Sequence, residues 1–72
     1  MQTYRLTLND GRHVTLQADS AHDAVFSAVR EHPGHTVSAC FEPFEKKDDQ
    51  GRETGGIYWA VPRHRAVAEV KP

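Results

Sequence analysis

The stretch YRLTLNDGRHVTLQA, residues 4–18, decides how the fold begins. Apolar and polar residues alternate on both sides of a central NDG, and this period of two is typical of half-buried β-strands. The apolar positions are Tyr4, Leu6 and Leu8 before the turn and Val14, Leu16 and Ala18 after it. Asn, Asp and Gly can take the positive φ angles that tight hairpin loops require. The stretch therefore predicts a β-hairpin at residues 1–18 with one buried face.

The next segment, ADSAHDAVFSAVREHPG at 18–34, predicts a helix over residues 20–31. Asp19 or Ser20 is placed to cap the N-terminus, and Asp23 follows Ser20 by three residues, as in a capping box. Pro33 and Gly34 end the element. One face carries small apolar residues at helical spacing: Ala21, Ala24, Val25, Ala28 and Val29. Because this stripe is mostly alanine, we expect the helix to lie close against a sheet.

The second half of the chain predicts a long β-hairpin over residues 36–62. In its first strand, HTVSACFEPF, the alternation predicts Val37, Ala39 and Phe41 on one face and Ser38, Cys40 and Glu42 on the other. In its second strand, IYWAV, the alternation predicts Ile57, Trp59 and Val61 in the core beneath the helix. Tyr58 then faces outward beside Cys40 or Glu42. The charged, glycine-containing residues 45–56 predict a mobile loop.

Together these elements predict an α+β domain over residues 1–72 with the order β-β-α-β-β, a mainly antiparallel sheet and one helix packed on one face. Residues 63–72 form either a tail or a short fifth strand. The first 32 residues, MQTYRLTLNDGRHVTLQADSAHDAVFSAVREH, resemble in layout the opening hairpin and helix of ubiquitin-like β-grasp proteins.

Composition restricts the class of protein. With 38% hydrophobic and 26% charged residues, the chain is patterned like a folded, soluble domain. Its net charge of −1 argues against a main role in gripping a phosphate backbone, which needs a broad basic surface. The single Cys40 cannot form an intramolecular disulfide and no signal-peptide pattern precedes YRLTL, so the sequence predicts a cytoplasmic location. The apolar runs are too short to span a bilayer.

No motif predicts an enzyme, a metal or a cofactor. The HPGH sequence at 32–35 with Cys40 supplies metal-ligand atoms, but it lacks the paired spacing of zinc sites. Cys40 has no local nucleophile motif around it. Gly55 and Gly56 precede a strand rather than a helix, so they favour a tight bend over a phosphate-binding loop.

The leading hypothesis is a small non-catalytic protein-binding module. Mixed charge in the predicted loop favours partner selection. The candidate partner-binding residues are Lys46, Lys47, Asp48, Asp49, Arg52, Tyr58, Arg63 and Arg65. In size and in its hairpin-helix-hairpin plan the chain resembles small phage- and plasmid-encoded inhibitors, including anti-CRISPR proteins. The resemblance implies steric blocking of a host macromolecular complex.

Two alternatives stay open. A nucleic-acid-binding or regulatory protein would use the basic residues Arg63, Arg65 and Lys71, together with Arg5 and Arg12 if the sheet brings them together. With Trp59 in the core, only Tyr58 and its possible neighbour Phe44 remain for base stacking. A self-associating structural module would instead form a homodimer by pairing edge strands.

Overall fold

The computed structural model describes residues 1–44, 49–51 and 55–68 and shows the α+β class. The elements are β1 (Gln2–Leu8), β2 (His13–Ala18), α1 (Ala21–Glu31), β3 (Val37–Pro43) and β4 (Gly56–Trp59). The four strands form one sheet in the order β2-β1-β3-β4, and each neighbouring pair is antiparallel. Because β2 and β3 both run antiparallel to β1, they are parallel to each other, and α1 connects them.

The predicted hairpin of β1 and β2 is present and closes through a short loop. The Gly11 N–H donates to the Leu8 carbonyl at 3.0 Å, and the Leu8 N–H donates to the Arg12 carbonyl at 2.8 Å. Gly11 has a φ of 92°, as expected for a turn followed by one left-handed residue. The backbone N–H and the guanidinium of Arg12 both donate to the Asp10 carboxylate, and they lower the pKa of Asp10. Neither Asn9 nor Asp10 takes a positive φ.

The helix α1 begins as predicted. Ser20 is its N-cap, and the Ser20 hydroxyl accepts a hydrogen bond from the Asp23 N–H at 3.1 Å. The helix buries four small side chains, Ala24, Val25, Ala28 and Val29, and packs on β1, β2 and β3.

The core lies between α1 and the first three strands of the sheet. Its buried members are Tyr4, Leu6, Leu8, Ala18, Ala24, Val25, Ala28, Val29, Val37 and Cys40. Val61, from the segment after β4, packs against this cluster, but β4 itself contributes no buried residue. Ile57 and Trp59 are 42% and 44% exposed. The prediction that they lie in the core beneath the helix is therefore wrong.

A β-bulge at Ser38 reverses the predicted faces of β3. Leu8 is opposite Val37, but Thr7 is opposite Ala39, so Ser38 is an extra residue in the ladder. Beyond the bulge Cys40 is buried, whereas Phe41 faces outward opposite Arg5. The predicted positions of Ala39 and Phe41 on the Val37 face, and of Cys40 and Glu42 on the outer face, are therefore wrong.

The segment after β4 runs back to the start of β3 and is fixed there by His64. The His64 Nε2 accepts a hydrogen bond from the Val37 N–H at 2.9 Å, so Nδ1 carries the proton and donates to the Pro62 carbonyl at 2.8 Å. The Gly34 N–H donates to the Val67 carbonyl at 2.8 Å. Residues 60–68 therefore form an ordered tail without a strand, and residues 69–72 lie outside the described part of the chain.

We expect His64→Ala to lower the free energy of unfolding by about 1–2 kcal/mol, because the Val37 N–H loses its acceptor in a part-buried position. Amide hydrogen exchange at Val37 is expected to accelerate. The control is His22→Ala, which removes an exposed imidazole from α1. Urea unfolding and hydrogen exchange measure both effects. Unchanged exchange at Val37 would show that His64 does not hold the tail.

We expect stability to fall in alkaline solution. Burial raises the pKa of Tyr4 above 10.0 and the pKa of the Cys40 thiol above 9.0, and Glu42 adds to both shifts. A raised pKa means that the folded state favours the protonated form, so this stability is complete below the unfolded pKa and is lost as the pH rises. Urea unfolding measured at a series of pH values from 7 upward should show a decline in the free energy of unfolding. The decline should begin near the pKa of the thiol in the unfolded chain.

The tyrosine contribution to this decline is isolated by Tyr4→Phe, which should flatten the highest-pH part of the curve. Tyr58→Phe removes an exposed hydroxyl and serves as the control. Equal curves for the wild type and Tyr4→Phe above pH 10 would contradict the assignment to Tyr4.

Candidate interaction surface on the outer sheet face

Three side chains form a continuous row across the face of the sheet opposite α1. Arg5, Phe41 and Tyr58 are successive cross-strand partners on β1, β3 and β4, and we call them the outer row. The Arg5 guanidinium carbon lies 5.0 Å from the centre of the Phe41 ring. The Phe41 and Tyr58 ring centres are 4.7 Å apart with an interplanar angle of 44°. The row thus combines a cation–π contact with an aromatic pair.

The outer row depends on two local features of the backbone. The bulge at Ser38 turns Phe41 outward, and the Ser38 hydroxyl donates to the Thr7 carbonyl at 3.1 Å. The Phe41 ring occupies the space beside Gly56, where an added Cβ would overlap both the ring and the Glu42 carbonyl oxygen. Glycine at position 56 therefore allows the ring to cover β4.

Tyr58 is the more exposed of the two rings in the outer row, with 74% of its surface exposed. It lies on β4, which is an edge strand of the sheet. Its exposure and its outward direction agree with the sequence prediction, but its cross-strand neighbour is Phe41 and not Cys40 or Glu42. A large, exposed aromatic ring fixed by a neighbouring ring is suited to contact with another molecule.

Neutral or basic side chains surround the outer row on the described strands. The outward-facing neighbours of the row are Thr3 and Thr7 on β1, His13, Thr15 and Gln17 on β2, and Ala39 on β3. None of these carries a carboxylate. The Asp10 carboxylate is held by Arg12 in the β1–β2 turn, and Glu42 faces the opposite side of the sheet. The outward positions of the four strands therefore carry no carboxylate.

The opposite side of β4 carries a second set of exposed apolar side chains. The Trp59 Nε1 donates to the Glu42 Oε1 at 2.9 Å, and this hydrogen bond holds the indole at the margin of the sheet. Ile57 lies beside it on the same face, and both are more than two-fifths exposed. Apolar groups are therefore accessible on both faces of β4.

The structure describes four of the eight predicted partner-binding residues: Asp49, Tyr58, Arg63 and Arg65. Lys46, Lys47, Asp48 and Arg52 lie outside the described residues, as does Lys71. Asp49 is exposed in the turn at 49–51, and Arg63 and Arg65 are exposed in the tail. Arg12 contacts Asp10 and His35 at the hairpin turn, so it does not join Arg5 on the sheet.

Phe41 was not among the predicted site residues, although it lies in the centre of the outer row. A signal was present in the chain, because cysteine is among the residue types most often buried. In a regular strand, residues that share a face are an even number of positions apart. Val37 and Cys40 are both suited to a core, but they are three positions apart. This spacing indicates an inserted residue between them, which the structure shows as the bulge.

Among the described residues, no group of histidine, cysteine, aspartate and glutamate side chains is arranged to hold a metal ion. The Cys40 thiol is buried in the core, where burial raises its pKa and disfavours the reactive thiolate. Within the same residues, no helix has the length and apolar character needed to cross a membrane. Comparison of the chain with protein-family models, curated proteins and solved structures gave no match.

Proposed function

We propose that this protein is a small non-catalytic protein-binding module whose contact surface is centred on the outer row. The observation that carries the proposal is the exposed Tyr58 ring beside Phe41, which in turn lies against Arg5. Tyrosine, phenylalanine and arginine are enriched at protein interfaces, and tyrosine and arginine dominate their energetic hot spots. The strands fix the row before binding, so little side-chain entropy is lost on association.

The charge distribution favours a protein partner. The whole chain has a net charge of −1, and Arg5 is the only arginine or lysine in the four described strands. Affinity for a phosphate backbone grows with the number of basic side chains that neutralise phosphates. One guanidinium is too few for that purpose, whereas it is enough for a protein hot spot that also contains two aromatic rings.

Single-stranded nucleic acid is the second candidate partner, and one observation favours it. The outer row places two aromatic rings on neighbouring strands with an arginine at one end, which is an arrangement that stacks bases. The prediction that only Tyr58 and Phe44 remain for stacking was wrong, because Phe41 takes this place. Exposed Arg63 and Arg65 would supply further phosphate contacts.

A crosslinking experiment distinguishes the two partners. Tyr58 is replaced by the photoreactive p-benzoylphenylalanine, and the protein is irradiated in lysate of the cells that express the gene, with and without nuclease. We expect a nuclease-resistant protein adduct that is lost on Arg5→Gln. The control places the same photoreactive residue at His22 on α1, which should give no such adduct. Adducts that disappear with nuclease would favour nucleic acid, and no adduct at either position would contradict the proposed surface.

We further propose that binding acts sterically, as in the small phage- and plasmid-encoded inhibitors of the anti-CRISPR kind, and in the cytoplasm. Small size and the hairpin-helix-hairpin plan support this narrower assignment. The test is transformation of a CRISPR-carrying bacterium with a targeted plasmid. Expression of the protein should raise the transformation efficiency, and Tyr58→Ser should abolish the rise. No rise with the wild type would contradict the anti-CRISPR assignment while leaving the crosslinking result to stand by itself.

A further inference from the structure

The outer edge of β4 presents backbone groups that no described segment pairs with. Hydrogen-bonded and non-hydrogen-bonded pairs alternate along antiparallel strands. The Phe44 N–H donates to the Gly55 carbonyl at 2.8 Å, so in this register Ile57 and Trp59 also form the hydrogen-bonded pairs with β3. Gly56 and Tyr58 therefore direct their N–H and C=O groups away from β3.

Two of the features that keep natural edge strands apart, charged side chains and proline, are missing from the short strand β4. Natural edge strands are commonly protected by charged side chains, proline or bulges. The sequence of β4, GIYW, contains no charge and no proline. Ile57 and Trp59 are exposed on one face and Tyr58 on the other, so an added strand would cover apolar surface on both faces.

We propose that a second copy of this chain pairs with β4 in antiparallel orientation, about a two-fold axis that passes beside Tyr58. Tyr58 then lies opposite the partner's Tyr58, and Gly56 lies opposite the partner's Ala60. Gly56 and Tyr58 are the β4 positions whose backbone groups point outward, so the Tyr58 pair is hydrogen-bonded, and the Gly56–Ala60 pair is hydrogen-bonded if the strand alternation continues through Ala60. Ile57 lies opposite the partner's Trp59 and Trp59 opposite the partner's Ile57, which are aromatic and β-branched cross-strand pairs.

The local backbone selects this register over its neighbours. A shift toward the N-terminus brings Gly55 into the ladder, and Gly55 has a φ of 129° that does not continue an extended strand. A shift toward the C-terminus places Pro62, which has no N–H, opposite Gly56 at a hydrogen-bonding position. The register centred on Tyr58 leaves both residues outside the ladder and uses the complete strand.

The dimer would have one continuous sheet of eight strands. The two outer rows would meet at the axis, so that four aromatic rings lie in line with an arginine at each end. This inference goes beyond the proposed function, because the strand edge forms the dimer while the open face of each row stays available to another partner.

Disulfide crosslinking tests the register. In a Cys40→Ala background, which removes the native cysteine, Tyr58→Cys, Ile57→Cys and Thr15→Cys are each oxidised at micromolar to millimolar protein concentration. We expect a covalent dimer with Tyr58→Cys, because directly opposite residues have Cα atoms about 5.5 Å apart in such a pair. Ile57→Cys should crosslink much less, since its own copy lies on a diagonal, and Thr15→Cys on the other edge strand should not crosslink.

Sedimentation velocity of the native-cysteine protein tests the association itself. We expect a monomer–dimer equilibrium, and Tyr58→Pro should weaken it by about tenfold or more because two symmetric hydrogen bonds are lost. Tyr58→Val, which keeps the N–H, is the matched control and should dimerise more tightly than Tyr58→Pro. The Tyr58 N–H points away from β3, so proline at this position leaves the β3–β4 ladder intact.

Three results would overturn the second-copy proposal. These are a monomer at every concentration, a dimer crosslinked through Thr15→Cys, and a photoadduct from position 58 in lysate that contains only a different protein. The last result would still support a protein-binding surface, so failure of the dimer and failure of the proposed function are distinguishable.

Discussion

Cys40→Asp is expected to abolish folding, whereas Phe41→Asp is expected to leave the protein folded. Cys40 is fully buried among core side chains, so a carboxylate there would lose its hydration without gaining a partner. Such a burial costs several kcal/mol, which is comparable to the whole free energy of unfolding of a domain of this size. Phe41 instead lies on the outer face, opposite Arg5.

The cost of Phe41→Asp is expected to be about 2–3 kcal/mol, because the ring is part-buried on the outer face. The substitution removes the ring contacts with Tyr58 and Arg5, but the new carboxylate faces a guanidinium across the strands. Circular dichroism and urea unfolding of the two variants measure the difference. The face pattern predicted from simple alternation gives the opposite order, so a folded Cys40→Asp variant and an unfolded Phe41→Asp variant would contradict the bulge.

Leu6→Ala is expected to lower the free energy of unfolding by about 3–5 kcal/mol, because the side chain is fully buried and its loss leaves a cavity. Leu6 lies on β1, a central strand that pairs with both β2 and β3. A loss of this size is a large fraction of the free energy of unfolding of a domain of this length.

The matched control for this variant is Trp59→Ala. It is expected to cost about 2 kcal/mol, since the indole is 44% exposed at the margin of the sheet and gives up partial burial and one hydrogen bond. Thermal unfolding followed by circular dichroism compares the two variants. If Trp59→Ala destabilises the protein as much as Leu6→Ala does, Trp59 lies in the core after all.

Local sequence rules were sufficient for the first half of the fold. The hairpin of β1 and β2 follows from alternation around a glycine that takes a positive φ, and both determinants lie within a few residues. The start of α1 follows from a serine cap whose partner is three residues away. In such elements, neighbours along the chain decide the conformation, so a single sequence reveals it.

The position of Trp59 could not be read from alternation. Alternation indicates which residues share a face, and Ile57 and Trp59 do share the face on the α1 side of the sheet. It does not indicate how much of that face the helix covers. A helix about 10 Å wide covers two or three strands spaced about 4.8 Å apart, and α1 covers β1, β2 and β3. Because β4 lies beyond β3 in the strand order, the helix does not cover it.

The bulge at Ser38 had the largest consequence for the candidate site. One inserted residue exchanges the two faces of a strand, and the pairing that requires the insertion involves β1, about thirty residues away in the chain. The outer row therefore could not be assembled from the pattern of β3 alone. The charged residues predicted to bind a partner between 45 and 53 remain a prediction, apart from the exposed position of Asp49.

A nuclear Overhauser spectrum of the protein in solution tests most directly whether Phe41 belongs to the outer row. The structure requires strong cross-peaks between the ring protons of Phe41 and Tyr58, and cross-peaks from the Cys40 β-protons to core methyl groups such as those of Val25. Cross-peaks from the Phe41 ring to the Val25 methyl groups, with none to Tyr58, would place Phe41 beneath the helix and contradict the surface on which the proposed function rests.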